Sequence, residues 1–108
     1  MKWEAGKVIY ILWEFKISPE NRAEFELAYR GDGVWAELFR RDPAYMKTIL
    51  LKDIEGELGR YVTVDVWENR SAYSQFKDRF AHEYSDIDRR CEALTDSERL
   101  IGIFEALG

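Results

Sequence analysis

Two stretches of this chain begin alike. "VIYILWEF" (Val8 to Phe15) and "YVTVDVWE" (Tyr61 to Glu68) each read as a β-strand that ends in Trp-Glu and runs on into a helix, and the tryptophans stand 54 positions apart in a chain of 108 residues. A Trp-Glu pair alone carries little, since Trp3 is also followed by Glu4. The repetition of strand, Trp-Glu and helix start together is the constraint. It predicts a doubled β-α-β unit, the ferredoxin-like split arrangement, in a single α+β domain spanning 1–108.

The flanking pattern supplies the remaining elements. The first strand, Lys7 to Ile17, is apolar on both faces, with Ile9, Ile11, Trp13, Phe15 and Ile17 on one and Val8, Tyr10 and Leu12 on the other, so both faces need cover. Ser18-Pro19 gives an N-cap and a proline at the first helical position, and the helix runs from Pro19 to Arg30. Gly31-Asp32-Gly33 breaks it, and Val34, Trp35, Leu38 and Phe39 resume a helical stripe to Arg41. Tyr45 to Lys52 and Tyr61 to Trp67 read as a hairpin whose turn carries Gly56 and Gly59. Ser71 opens a last helix whose apolar positions Tyr73, Phe76, Phe80, Tyr84, Ile87, Cys91 and Leu94 recur at steps of three and four, one continuous face to Thr95. Leu100 to Leu107 completes an antiparallel four-stranded sheet in the order β-α-α-β-β-α-β.

If the helices cover one sheet face, Val8, Tyr10, Leu12, Val62, Val64 and Val66 are left on the other. At about 25 cal/mol per Å2, a wet face of that kind costs several kcal/mol, comparable with the net stability of a domain. A second copy packed sheet to sheet removes the cost, so the pattern predicts a homodimer.

Charge and composition exclude several functions. The net charge of −5, with no cluster of Lys and Arg, argues against a nucleic-acid partner. Cys91 is the single cysteine and His82 the single histidine, which leaves no intramolecular disulfide and no Cys/His zinc set. "MKWEAGK" lacks the apolar core of a signal peptide, and no apolar run approaches the roughly 20 residues of a membrane helix; a soluble, cytoplasmic domain with no membrane partner is expected. The aromatic fraction of 15 % is high, and so many rings must be buried or line a pocket.

Asp65 is the most informative polar residue. A carboxylate between Thr63 and Trp67 in mid-strand is unfavourable for a sheet, and in a covered pocket its pKa rises toward that of a useful base; the alternative is an arginine partner or water at the dimer seam. His82 titrates near neutrality and is a second catalytic candidate, although on a continuous helix it falls off the buried stripe. Glu14 and Glu68, which follow the two tryptophans, read as solvated charges at strand ends. Cys91 reads as a small buried hydrophobe.

Four segments together, "VIYILWEFKISPE", "GDGVWAELFRRDPAY", "RYVTVDVWENRSAYSQF" and "RCEALTDSERLIGIFE", resemble the antibiotic biosynthesis monooxygenase superfamily from Gly6 to Glu105. The resemblance implies the dimeric α+β barrel fold. Relatives include cofactor-independent oxygenases of polycyclic phenols and haem-degrading oxygenases. The haem-degrading pattern is not met: its strand-one Asn falls at Trp13, its helix Trp falls at Phe76, and His82 stands near its His only with a gap in the alignment. Trp67 matches a tryptophan common at the end of strand three. The cofactor-free branch implies a monooxygenase with no cofactor and no metal, which binds a small aromatic phenol between sheet and helices. Asp65 and His82 are then the catalytic candidates, and Trp13, Phe15, Tyr61, Thr63, Trp67, Tyr73, Phe76 and Phe80 the substrate-binding ones. The alternatives are a non-catalytic dimeric ligand-binding or structural module and, with His82 turned inward, a haem-binding protein.

Overall fold

Strand β1 (Ile9–Lys16) lies inside a four-stranded antiparallel sheet, between β3 (Arg60–Trp67) and β4 (Ser97–Glu105), with β2 (Tyr45–Lys52) beyond β3. This computed structural model describes residues 7–107; Trp3 and the stretch read as lacking a signal peptide lie largely outside them. The order β2-β3-β1-β4 is the ferredoxin-like arrangement expected from the repeat. The two repeated strands pair with each other at the centre, Ile9 opposite Trp67, Ile11 opposite Asp65, Trp13 opposite Thr63 and Phe15 opposite Tyr61. These residues share the face that the helices cover.

Four helices form the covering layer: α1 (Arg22–Tyr29), α2 (Val34–Phe39), α3 (Arg70–Arg79) and α4 (Ala81–Cys91). Pro19–Asn21 forms a 3-10 turn ahead of α1. Ser18 does not cap it; its hydroxyl donates to Asp96 Oδ2 at 2.5 Å and ties the end of β1 to the start of β4. Helix α3 starts two residues earlier than the serine signal suggests, because Asn69 Oδ1 accepts from the Ala72 N–H at 2.8 Å. The last helix is not continuous. It divides at Phe80, whose backbone leaves the helical region at φ −110 and ψ 28. The apolar steps run straight through the break because both segments face the same core: Phe76, Ile87 and Cys91 are buried, and Phe80 and Tyr84 pack against them. Periodicity therefore carries no sign of it.

Rings join the layers. Phe25 stacks on Tyr29 at 4.3 Å, Trp35 follows at 6.2 Å from Tyr29, Phe39 at 6.0 Å from Trp35, and Trp67 at 5.7 Å from Phe39, ending on Phe76 at 5.1 Å. Each such pair adds about 0.5–1.5 kcal/mol to what area burial supplies.

Two bulges interrupt the ladders. Across β1 and β4, Leu12 faces Gly102 but Trp13 faces Leu100, so Ile101 is an extra residue. Across β2 and β3, Tyr45 faces Trp67 but Lys47 faces Val66, so Met46 is extra. On the open face Glu14 is not the solvated rim charge expected of it. Its carboxylate accepts from Arg60 Nε at 2.5 Å and Arg99 Nη2 at 2.9 Å, and its side chain is only 12 % exposed, because a central strand receives an arginine from each neighbour. Those guanidiniums, Arg60 first, hold its pKa below the ordinary carboxylate value. Glu68 is exposed.

Gly59 closes the β2–β3 turn at φ +81 and accepts the Ile17 N–H at 2.8 Å; a Cβ there meets the Ile17 carbonyl oxygen at 2.5 Å. Gly59→Ala is therefore expected to cost roughly 1–3 kcal/mol in urea unfolding, and an unchanged midpoint would show that the turn relaxes without strain.

Candidate functional site

Along β3 the covered face reads Tyr61, Thr63, Asp65, Trp67. The two large residues reach the helix layer; the two short ones do not. Tyr61 packs on Phe25 at 4.9 Å and donates its hydroxyl to Glu26 Oε2 at 2.5 Å, while Trp67 packs on Phe76 and on Tyr73 at 5.4 Å. Between them a cavity of about 260 Å3 opens. Trp13, Phe15, Thr48, Thr63, Asp65 and Glu98 form its sheet side. Helices contribute Tyr29, Trp35 and Phe39 from the first half of the chain, and Lys77, Tyr84 and Asp88 from the second.

Asp65 projects into this space. Its Oδ1 accepts from Thr48 Oγ1 at 2.6 Å, and that hydroxyl in turn accepts from Tyr45 Oη at 2.8 Å. Among the described residues it forms no ion pair, and Oδ2 has no hydrogen bond. Burial pushes its pKa up to about 6, against the Thr48 hydrogen bond, which lowers it. A carboxyl with that value is ionised near neutrality yet basic enough to hold a proton.

The other charges of the cavity are unevenly disposed. Lys77 Nζ rests over the rings of Tyr84 and Tyr73, 5.1 and 5.5 Å from their centroids. Desolvation, then the neighbouring Asp88 and Glu92, raise the pKa of Glu98. Burial likewise lifts Tyr84 and Tyr29 well above the ordinary phenol value. Among the described residues neither Asp65, Asp88 nor Glu98 forms an ion pair, whereas Glu14 and Asp53 on the opposite face both bind Arg60. No group of three or more His, Cys, Asp or Glu side chains in the described residues is placed to hold a metal ion.

Of the residues singled out from sequence, Asp65, Trp13, Phe15 and Thr63 converge on the cavity. Tyr61, Trp67 and Phe76 are core, at 1 %, 0 % and 0 % exposure. Tyr73 packs on Trp67 and Phe80 on Phe76, and neither lines the cavity. His82 is the clear correction. It lies in the first turn of α4 with its side chain 87 % exposed, and Nε2 is 3.4 Å from Asp86 Oδ2. The break at Phe80 does not turn it inward, so the arrangement that haem binding through His82 requires is not present. Sequence reasoning missed Thr48, Trp35, Lys77, Tyr84 and Glu98. Trp35 and Tyr84 look like ordinary stripe residues, and Glu98 precedes the first apolar residue of its strand. Alternation back from Ile103 and Ile101 would not have found it either, because of the bulge.

Neither a protein-family model nor a curated protein matches this sequence. Solved structures do. SnoaB, a cofactor-independent oxygenase from Streptomyces nogalater, superposes with a TM-score of 0.69 at 18 % identity, over 94 % of this chain and 95 % of that one. A candidate antibiotic biosynthesis monooxygenase from Bordetella bronchiseptica gives 0.72 at 16 % identity, over 94 % and 99 %. A further candidate of that kind from Caulobacter crescentus gives 0.71 at 13 % identity, over 99 % and 96 %. The chain has the ferredoxin-like α+β fold of the antibiotic biosynthesis monooxygenases. No helix of the described residues is long and apolar enough to cross a membrane.

The pKa of Asp65 ties the site to stability. Its folded value, about 6, lies above the ordinary 3.8, so between those pH values the unfolded chain releases this proton first and stability falls as pH rises. At about 1.4 kcal/mol per unit the loss is roughly 2–3 kcal/mol. Asp65→Asn cannot ionise, so its stability relative to wild type should improve by that amount from pH 4 to pH 7 in urea unfolding. The same difference at both pH values would mean that Asp65 titrates as an ordinary aspartate.

Proposed function

We propose that the protein is a homodimeric, cofactor-independent oxygenase of a small phenolic aromatic, with Asp65 as the base. The observation that carries this reading is a carboxyl poised near pH 6 in a ring-lined cavity, with one oxygen that has no hydrogen-bond partner among the described residues. The likeness in fold to SnoaB, a cofactor-independent oxygenase, supports it. At about 260 Å3 the cavity lies just below the usual range for ligand pockets, about 300–1,000 Å3, and suits a compact aromatic.

The chemistry follows from the charges. Asp88 and Glu98 oppose an anion at the cavity, so the phenol enters neutral and ionises inside. Asp65 takes its proton, and Lys77 is the cation placed near the resulting phenolate. The electron-rich anion passes one electron to O2, and the substrate radical and superoxide combine at the activated carbon. Protonation gives a hydroperoxide there. Loss of water, which removes the one hydrogen on that ring carbon, then converts it to C=O while the phenol oxygen becomes a second carbonyl, with one atom of O2 in the product and the other in water.

The open sheet face supports the dimer. Ile49, Leu51 and Phe104 are 39 %, 48 % and 47 % exposed beside the half-buried Tyr10, Leu12, Val62 and Val64, and β4 also exposes Leu100 and Ile103 on its other side. A contiguous apolar surface of this kind on a sheet suits a partner sheet.

With anthrones and hydroquinones in metal-free buffer, oxygen uptake is expected, with an acid limb near pH 6. Asp65→Asn should lower kcat/KM by about 10²–10⁴-fold; full activity in that variant removes Asp65 from the mechanism. Binding of the same compounds with no oxygen uptake would leave a ligand-binding module. In light scattering at micromolar concentration the protein should be a dimer and Ile49→Asp a monomer. A monomeric wild type would overturn the sheet-to-sheet assembly.

A further inference from the structure

Residues three apart on a regular strand point to opposite faces. Tyr45 and Thr48 nevertheless lie on the same face of β2, because the extra residue Met46 resets the alternation between them. The result is a hydrogen-bond chain with one direction: Tyr45 Oη donates to Thr48 Oγ1 at 2.8 Å, and Thr48 Oγ1 donates to Asp65 Oδ1 at 2.6 Å. Tyr45 is itself fixed, 91 % buried, between the rings of Phe39 and Trp67 at 5.5 Å each. Bulges are used elsewhere to re-aim a side chain beside a functional site. Here the bulge joins a rigid phenol to a carboxyl that no other side chain of the described residues hydrogen-bonds.

We infer that Tyr45 and Thr48 are positioning residues for Asp65: they hold Oδ1, leave Oδ2 as the oxygen that receives the substrate's proton, and stabilise the ionised form that must be present before substrate binds. This rests on the reading of Asp65 as the base. The direction of donation is what gives the chain its effect. Thr48 has one hydroxyl proton and gives it to Asp65, and the Tyr45 proton on Thr48 Oγ1 both occupies an acceptor site and strengthens that donation. The same contact lowers the Asp65 pKa against the rise that burial imposes. The other titratable groups that line this space are Lys77 from α3, Tyr84 and Asp88 from α4, Glu98 from β4 and Tyr29 from α1, with Tyr73 of α3 beyond the cavity wall but within electrostatic reach of Asp65; none of them hydrogen-bonds Asp65 among the described residues.

The test uses Thr48→Val, which keeps shape and strand preference but has no hydroxyl, with Thr48→Ser as the conservative rescue and Tyr45→Phe to remove the outer link alone. The Asp65 carboxyl is followed by 13C NMR titration in each folded variant, and the acid limb of kcat/KM alongside. Thr48→Val should raise the Asp65 midpoint by about one pH unit. Tyr45→Phe should move it the same way by less, Thr48→Ser should restore it, and the acid limb should follow. An Asp65 midpoint unmoved in Thr48→Val, or moved equally in Thr48→Ser, overturns the inference. If the midpoints shift as stated but Asp65→Asn keeps full activity, the chain sets the carboxyl's charge and the catalytic reading of Asp65 is what fails.

Discussion

Tyr61 and Trp67 near the two ends of β3 each reach the helix layer, Tyr61 through Phe25 and Trp67 through Phe76, and the space between them is left to Thr63 and Asp65. The rest of the structure depends on that spacing. Ring contacts seal the ends firmly enough that the middle stays open without collapse. Had Thr63 and Asp65 carried side chains as large as Tyr61 and Trp67, close packing would have filled the cavity, as interiors ordinarily require. The cavity is thus a property of side-chain length on one face of one central strand, and the neighbouring Thr48 on β2 extends it.

A carboxyl in such a place is a cost to the fold. Ile11, its partner across the central ladder, shows what the position would hold if packing alone decided. The described structure answers the burden only in part, with the hydroxyl of Thr48 and the phenol behind it, and supplies no countercharge. The open face of the sheet does the opposite. There Glu14, also in a central strand, is held by arginines from both sides. One sheet therefore carries an arginine-paired carboxylate on one surface and, among the described residues, a carboxyl with no ion pair on the other.

Much of this was legible in the sequence, and the residues show why. The repeated strand, Trp-Glu and helix start fixed the central strand pair, since alternation along "YVTVDVW" and "IYILWEFK" put the same side chains on the covered face that the structure does. Asp65 stood out because a carboxylate at a core position violates that alternation. The pattern was silent wherever a residue was inserted without changing hydrophobicity. Met46, Ile101 and the break at Phe80 are all apolar, so each preserved the stripe while altering what it pointed at. By their face alone Tyr61, Trp67 and Phe76 read as pocket residues, yet they are buried in the core. Only packing distances separate a ring that seals a cavity from one that lines it. His82 drew attention by its chemistry, and its place in the first turn of α4 leaves it in water.

The bulge at Ile101 reaches further than the edge strand that contains it. Because one extra residue intervenes, Glu98 pairs with Phe15 on the cavity face and Arg99 pairs with Glu14 on the open face. In an uninterrupted ladder the two would trade surfaces: a guanidinium would stand among Tyr29, Tyr84 and Asp65, and Glu14 would lose one of its two arginines. The sign of the charge that β4 presents to the cavity is thus encoded by a count of residues rather than by the identity of any of them. A deletion of one codon in β4 would invert that sign while leaving every cavity residue of the central strands as it was.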